Sequence, residues 1–133
     1  KKAGYAGYYI HFEPSGCFLY AGSHCPTPEA LRSIREEIID NGDNMVKAVE
    51  ESNGFTLIRS QSLKRNPKEF PSGHKYDELL RLKEFGIEKP LNPELLAAGD
   101  EVLLHSVVED LRSTYPLVEI LNRAIHYAYE EMM

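Results

Sequence analysis

The sequence predicts an α+β fold, in which a small antiparallel sheet starting with an N-terminal β-hairpin packs against several helices and the C-terminal half is helical. Two patterns predict this class. Residues 8–13 alternate apolar and polar side chains, which is typical of a half-buried strand. Later segments repeat apolar residues three or four positions apart, which is typical of amphipathic helices. Because the strands come first and the helices dominate later, we expect the two to be segregated.

The first predicted element is a hairpin. Strand 8–13 is followed by a loop at 14–16, whose proline suits the first turn position and whose glycine suits a left-handed one. Residues 17–21 form the return strand. If the loop has three residues, Phe12 faces Phe18 and Ile10 faces Tyr20, and a one-residue change in loop length would alter these pairs.

A helix is predicted to follow the hairpin. Thr27 suits the N-cap, Pro28 suits the first helical position, and the acid Glu29 suits the positive end of the helix dipole. We expect this helix to end at Asn41 and Gly42. The remaining predicted elements are a short helix after Asp43, a strand at 55–59, a polar loop at 61–75, a helix around 76–83, a weaker strand at 85–88, and helices starting near Asn92, Asp100 and Pro116.

Length and composition exclude several classes of protein. The chain has 133 residues with no internal repeat or linker-like stretch, so we expect a single domain over residues 1–133. No apolar run approaches the ~18 residues that a membrane span needs, and we expect no membrane partner. Two cysteines do not make a disulfide scaffold, so Cys17 and Cys25 are expected to be free thiols in the cytoplasm.

The charge is unevenly distributed. The formal net charge of −6 argues against a nucleic-acid binder. Residues 59–90, by contrast, carry 8 basic and 5 acidic side chains, a local charge of +3. Within this region, Lys64 and Arg65 combine a point charge with a bidentate donor beside a turn, and Arg35 on the preceding helix could converge on them. These three residues form a candidate anion site, and a solvated loop is the alternative.

His11 and Glu13 form a second candidate site. They lie two apart on one strand, so their side chains share a face roughly 7 Å apart along it. Such a pair could act as acid and base. We expect no metal there, because no residues with ligand spacing complete the site. A polar strand face is the alternative interpretation.

Three functions remain open. The leading hypothesis is a binding domain for an anionic small molecule or an acidic segment of a partner, held by Arg35, Lys64 and Arg65 with His11 and Glu13 alongside. The second is an enzyme that uses His11 or Glu13 as general acid or base in the same cleft. The third is a structural or interaction domain without a ligand. No phosphate loop, nucleophile elbow or zinc motif occurs, so no cofactor is predicted.

Five blocks follow one another along the chain, namely GYYIHFEP (7–14), LRSIR (31–35), LKRNPKEF (63–70), LRLKEF (80–85) and PLVEILN (116–122). In these blocks, and in their order, the chain resembles the uncharacterised family called domain of unknown function 2461. The family often has an aromatic residue where this chain has His24, and a glycine where it has Glu69. The resemblance implies no established activity.

The resemblance also implies a longer protein. Family members usually have a further N-terminal, largely helical part, so this chain is expected to be the C-terminal part of such a protein. Docking of those helices needs an apolar surface, for which the tyrosines near the N-terminus and the last helix are candidates. We therefore expect a homodimer through that surface.

Overall fold

A four-stranded antiparallel sheet with helices packed on one side forms the protein. The computed structural model describes residues 5–132. The elements in chain order are β1 (Gly7–Glu13), β2 (Gly16–Ser23), α1 (Pro28–Glu50), β3 (Thr56–Leu57), α2 (Asp77–Leu80), β4 (Phe85–Pro90), α3 (Pro93–Ala97), α4 (Asp100–Ser113) and α5 (Tyr115–Glu131). The strands lie in the order β1-β2-β4-β3. The predicted α+β class, with an N-terminal hairpin and a helical C-terminal half, is confirmed.

The register of the hairpin differs from the prediction by one residue. Glu13 pairs with Gly16, so the loop has two residues rather than three. Phe12 consequently pairs with Cys17 rather than Phe18, and Ile10 pairs with Leu19 rather than Tyr20. The predicted pairs are therefore wrong. The alternation of side chains along β1 does not report the length of the loop, and the loop length sets the register.

The assignment of faces within β1 is confirmed. Ile10 shares a face with its partner Leu19, which is fully buried on the core side. His11 lies on the opposite face, beside Phe18. Because β1 is an edge strand, its core-side residues are only partly covered: Ile10 is 42% exposed and Phe12 is 68% exposed.

Helix α1 begins as predicted. The side chain of Thr27 accepts a hydrogen bond of 3.1 Å from the Ala30 amide, and Pro28 occupies the first turn. The predicted break at Asn41 is present: Asn41 has non-helical angles (φ −140°, ψ 35°), and helical structure resumes after it and continues to Glu50. The two predicted helices therefore follow one another without a loop and form one element with a kink.

The hydrophobic core lies between α1, α5 and the inner face of β2 and β4. Its largest fully buried apolar side chains are Leu19, Ile34, Ile38, Leu80, Leu82, Ile87, Leu121 and Ile125. Helices α1 and α5 pack against each other, and Ser33 on α1 donates a 2.6 Å hydrogen bond to the Ala124 carbonyl on α5. None of the helices within residues 5–132 is long and apolar enough to cross a membrane.

Candidate functional site

His11 and Glu13 form a surface pair near the tip of the hairpin. Their atoms Nε2 and Oε1 are 3.5 Å apart, and both side chains are about half exposed (52% and 44%). The His11 ring stacks on Phe18 with 4.6 Å between centroids. An exposed pair of this kind contributes little to stability, at most about 1 kcal/mol. The stacking on Phe18 restrains the imidazole ring, which remains half exposed to solvent beside Glu13.

Arg35 is buried and bound to backbone. Its Nε donates to the Leu80 carbonyl at 2.7 Å, and a terminal nitrogen donates to the Leu82 carbonyl at 2.9 Å. Burial lowers the pKa of Arg35, and the negative charge of Glu69 acts in the opposite direction. The guanidinium thus anchors the segment before β4 to α1, a role that the sequence did not indicate.

Lys64 and Arg65 lie exposed on the loop that precedes α2. The Leu63 amide donates to the Arg81 carbonyl, and the Lys83 amide donates to the Gln61 carbonyl, so the start of this loop runs beside the segment that Arg35 holds. The backbone that leads to Lys64 and Arg65 therefore lies beside the segment that Arg35 contacts. The three do not share one surface, because Arg35 faces inward.

The loop cations belong to a larger group. Five exposed basic side chains occur on residues 61–83, and within residues 5–132 an ion pair joins only Lys75 among them to an acid. We call the other four the basic loop: Lys64, Arg65, Lys68 and Lys83. Their arrangement rests on Asn66, which receives a 2.8 Å hydrogen bond from Arg81 Nε and donates one of 2.8 Å to Asp77.

The two candidate sites lie at opposite ends of the sheet. His11 pairs with Phe18 at one end of β2, whereas the segment held by Arg35 enters β4 at Phe85, which pairs with Ser23 at the other end. The five residue steps from Phe18 to Ser23 span roughly 17 Å. The five predicted residues therefore occupy two separate places, and no single cleft collects them.

The buried carboxylate of Glu84 was not predicted from the sequence. Glu84, only 8% exposed in its side chain, accepts a 3.0 Å hydrogen bond from the Tyr20 hydroxyl and lies 3.2 Å from His24 Nδ1. Burial, followed by the charge of Glu84, raises the pKa of Tyr20 well above its usual range. A Cβ at Gly86 would overlap the Tyr20 hydroxyl, so the glycine makes room for this cluster. Glu84 lies between Lys83 and Phe85, directly before β4, and no local pattern in the sequence distinguishes it from an exposed acid.

The polar cluster around Glu84 is largely buried and serves the fold. The polar partners of Glu84 include Tyr20, which is buried, and His24, whose side chain is 69% exposed. Within residues 5–132 no group of three or more His, Cys, Asp or Glu side chains could hold a metal ion. The contacts of Tyr20 and His24 give the buried Glu84 carboxylate hydrogen-bond partners.

Both cysteines are free thiols, with Cys17 partly buried and Cys25 exposed.

A mainly apolar cavity of about 380 Å³ opens at the edge of the sheet that carries β3. Helices α1 and α5 form two of its walls, so we call it the α1–α5 cavity. Its apolar lining is Met45, Val46, Val49, Leu57, Leu79, Phe85, Leu117 and Leu121. The volume falls in the range of small-molecule sites, about 300–1,000 Å³. None of the predicted site residues lines it.

The mouth of the α1–α5 cavity is charged but balanced. Two exposed acids and two exposed bases line it, and these are Glu50, Arg59, Lys75 and Glu78. Arg59 lies 3.3 Å from Glu78, and Lys75 lies 3.2 Å from Asp43. Exposed pairs of this kind exchange partners at little cost. A bound molecule with either sign of charge could therefore find a partner at the mouth.

Comparison with known proteins identifies one match. The model of a family described as "Conserved hypothetical protein (DUF2461)" matches residues 1–119. No curated protein and no solved structure matches the chain significantly. The match agrees with the resemblance seen in the five sequence blocks.

Proposed function

The chain belongs to the DUF2461 family of conserved hypothetical proteins, whose description states no activity, and we propose from its geometry that it is a small-molecule-binding domain. The ligand is an amphipathic molecule, with an apolar body inside the α1–α5 cavity and a polar end at the mouth. The observation that carries this proposal is the cavity itself, in which apolar walls converge below four charged side chains.

The apolar walls support binding of an apolar body. Leu117, Leu121 and Phe85 are almost fully buried and belong to the core, so the floor of the cavity is preformed. Val46, Val49 and Leu57 are only partly buried and pack against that core. A ligand that covered them would remove apolar surface from water, at about 25 cal/mol per Å².

The polar end of the ligand is proposed to meet Arg59. Its ion pair with Glu78 is exposed, with side chains that are 57% and 81% accessible, so it competes weakly with a ligand carboxylate or sulfonate. The ligand is therefore anionic, as the positive charge of residues 59–90 suggested. Its anionic group is proposed to bind at Arg59 and not at Lys64 and Arg65.

The dye 8-anilinonaphthalene-1-sulfonate, an apolar ring system with one anionic group, tests the proposal. We expect its fluorescence to rise on binding and Val49→Phe, which projects a ring into the cavity and narrows it, to abolish most of that rise. Val102→Phe is the matched control, since Val102 is 50% exposed on α4 and does not line the cavity. Equal binding by the two variants would contradict the proposal.

The basic loop supports a second function, recognition of an acidic segment of a partner protein. Its cations lack acidic partners within the described part of the chain, and the Asn66 and Asp77 contacts hold their backbone. Substituting Lys64 and Arg65 together by Ala is expected to keep the melting temperature within a few degrees. Binding of a polyglutamate peptide should weaken, and weaken more at low salt than at high salt; unchanged affinity would exclude this function.

An acid–base role for His11 or Glu13 has less support, because neither lines the α1–α5 cavity and the loop cations lie at the other end of β2.

We also propose that the protein resides in the cytoplasm, where exposed free thiols such as Cys25 persist. Finally, we propose that the chain self-associates as a homodimer, because apolar side chains on β1 and α4 remain exposed.

A further inference from the structure

Strand β1 has a free edge. In the sheet order β1-β2-β4-β3 it is terminal, and within residues 5–132 it pairs only with β2. Edge strands of stable monomers are usually protected by Lys, Pro or a bulge. Strand Gly7–Glu13 contains neither Lys nor Pro, and its register with β2 is continuous. The edge is therefore open to pairing with another strand.

The hairpin loop determines which backbone groups face that edge. In a two-residue hairpin the flanking residues, here Glu13 and Gly16, exchange hydrogen bonds, and bonded and non-bonded pairs alternate along an antiparallel ladder. The N–H and C=O groups of Tyr8, Ile10 and Phe12 consequently point away from β2.

Asn122 on α5 supports this assignment. Ala6 is the next even-numbered residue before β1, and both its backbone groups bond to the Asn122 side chain rather than to β2. The distances are 2.7 Å for the Ala6 amide and 3.3 Å for its carbonyl. The side chain of Asn122 thus closes the edge at Ala6 and leaves it open from Tyr8 onward.

Apolar side chains continue the edge onto the neighbouring helices. We call the exposed set the edge patch, and it consists of Tyr8, Ile10, Phe12, Leu96, Leu104 and Val108, which are 41–68% exposed. A groove of about 310 Å³ between β1 and the helices α3 and α4 joins four of them. Val108 extends the patch one turn beyond Leu104 on α4, and Tyr8 extends it along β1.

The area of the edge patch matches what a dimer requires. A large side chain presents ~150–250 Å² when fully exposed, so these six leave on the order of 600 Å² uncovered. With the backbone edge added, the surface approaches the ~800 Å² that each partner contributes to a standard interface. It is at the upper end of the patches found on monomers, about 300–600 Å².

The edge is self-complementary in one register. If two copies pair antiparallel about a two-fold axis at Ile10, each Ile10 opposes its copy and each Tyr8 opposes Phe12. All three opposed pairs use groups that point outward, which gives roughly six hydrogen bonds between the chains. A shift by two residues places Tyr8 against Pro14, which has no N–H, or Phe12 against Ala6, which already bonds to Asn122, so fewer of the outward-pointing groups find a full partner.

We propose that two copies of this chain join β1 to β1 in this register and form a continuous eight-stranded sheet, an inference that rests on the homodimer of the proposed function. The two-fold axis is perpendicular to the sheet, so the helices of both copies lie on the same side. The stripes formed by Leu104 and Val108 then close over the paired Ile10 and Phe12 side chains from both directions.

Sedimentation equilibrium at micromolar concentration tests the proposal on the full 133-residue chain. The expected result is a particle of twice the 15.1 kDa chain mass. Leu104→Glu, on a side chain that is 64% exposed, should raise the dissociation constant by about tenfold or more. Val102→Glu is the matched control, because Val102 is 50% exposed on the same helix but lies about half a turn away from the patch, and it should leave the dimer intact.

Ile10→Pro tests the backbone pairing. It removes an N–H that β2 does not use, so the hairpin should still form while the dimer dissociates. Circular dichroism confirms folding of each variant. A monomeric wild-type chain would overturn both the homodimer and this inference. This would hold even if the free edge of β1 bound a peptide from another protein. A dimer that survives Leu104→Glu and Ile10→Pro would overturn this interface alone.

Discussion

A single buried guanidinium holds the segment that enters β4 against α1. Two N–H groups of Arg35 donate hydrogen bonds to the Leu80 and Leu82 carbonyls, which would otherwise be buried without partners. Each charge-assisted hydrogen bond of this type is worth about 1.5–3 kcal/mol. The role of Arg35 is therefore to determine where α2 ends and β4 begins.

Replacing Arg35 by Met should lower the free energy of unfolding by about 2–4 kcal/mol, because two buried carbonyls lose their donors. Urea unfolding monitored by circular dichroism measures this change. Arg32→Met is the control, since Arg32 is exposed on the same helix, and it should change stability by less than about 0.5 kcal/mol. Similar effects of the two substitutions would show that Arg35 does not anchor the segment.

Tyr20 should make the protein sensitive to alkali. Burial and the charge of Glu84 raise the pKa of its hydroxyl above the ordinary value of 10.0. The unfolded chain loses this proton near pH 10, whereas the folded chain retains it, so the stability contribution is complete below pH 10 and declines as the pH rises further. Tyr20→Phe should flatten this decline above pH 10, as measured by urea unfolding at a series of pH values. An unchanged slope would contradict the buried Tyr20–Glu84 contact.

The loop from residue 61 to residue 76 shows how an element without helix or strand can be ordered. The Asp77 carboxylate accepts hydrogen bonds from the Gly73 and His74 amides and from Asn66. Hydrogen bonds from Gly73 and then from Asn66 lower the pKa of Asp77. This carboxylate therefore acts as the organising centre of the loop that carries Lys64 and Arg65.

Asp77→Ala should accelerate hydrogen exchange of the Gly73 and His74 amides while leaving the core amides protected. Acid should have the same effect on the wild-type chain. The pKa of Asp77 is lowered, so its contribution is present above the ordinary value of 3.8 and is lost as the pH falls through the lower folded value. Glu78→Ala, one residue further on and paired only at the surface with Arg59, should not alter exchange at these amides.

The elements could be predicted where the signal was local. Alternation in β1 assigned His11 and Ile10 to opposite faces, and Thr27 with Pro28 located the start of α1. The register of the hairpin could not be predicted, because it depends on whether Gly16 belongs to the loop or to the strand. The interruption of α1 at Asn41 was predicted from Asn41 and Gly42, but the absence of a loop between the two helical segments was not, since the same residue types end a helix and kink one.

The candidate site was harder to predict than the fold, because it depends on contacts between distant segments. Arg35 was placed among solvent-facing cations, since charged residues are rarely buried unless they are paired. Its partners are backbone carbonyls 45 and 47 positions away. The α1–α5 cavity likewise combines α1, β3 and α5, whose residues carry ordinary core patterns in the sequence. No local motif distinguishes a cavity wall from a packed core.

At the scale of the whole molecule, the two openings lie at opposite edges of one sheet. The helices cover the central strands β2 and β4. The α1–α5 cavity opens beside the short strand β3 at one edge of the sheet, and the edge patch lies on and beside β1 at the other. Ligand binding and self-association should therefore be independent. Val49→Phe should leave the dimer intact, and Leu104→Glu should leave dye binding to the cavity intact, which fluorescence titration and sedimentation of both variants would check.

Methyl NMR during titration with 8-anilinonaphthalene-1-sulfonate tests the central claim, that the α1–α5 cavity is the binding site, most directly. We expect progressive shifts of the methyl signals of Val46, Val49, Leu57 and Leu121, because the ring current of the dye acts on the side chains that it touches. The methyl signals of Leu104, in the edge patch, should move little under the same conditions. Shifts confined to the edge patch, or no saturable shifts in the cavity, would contradict the claim.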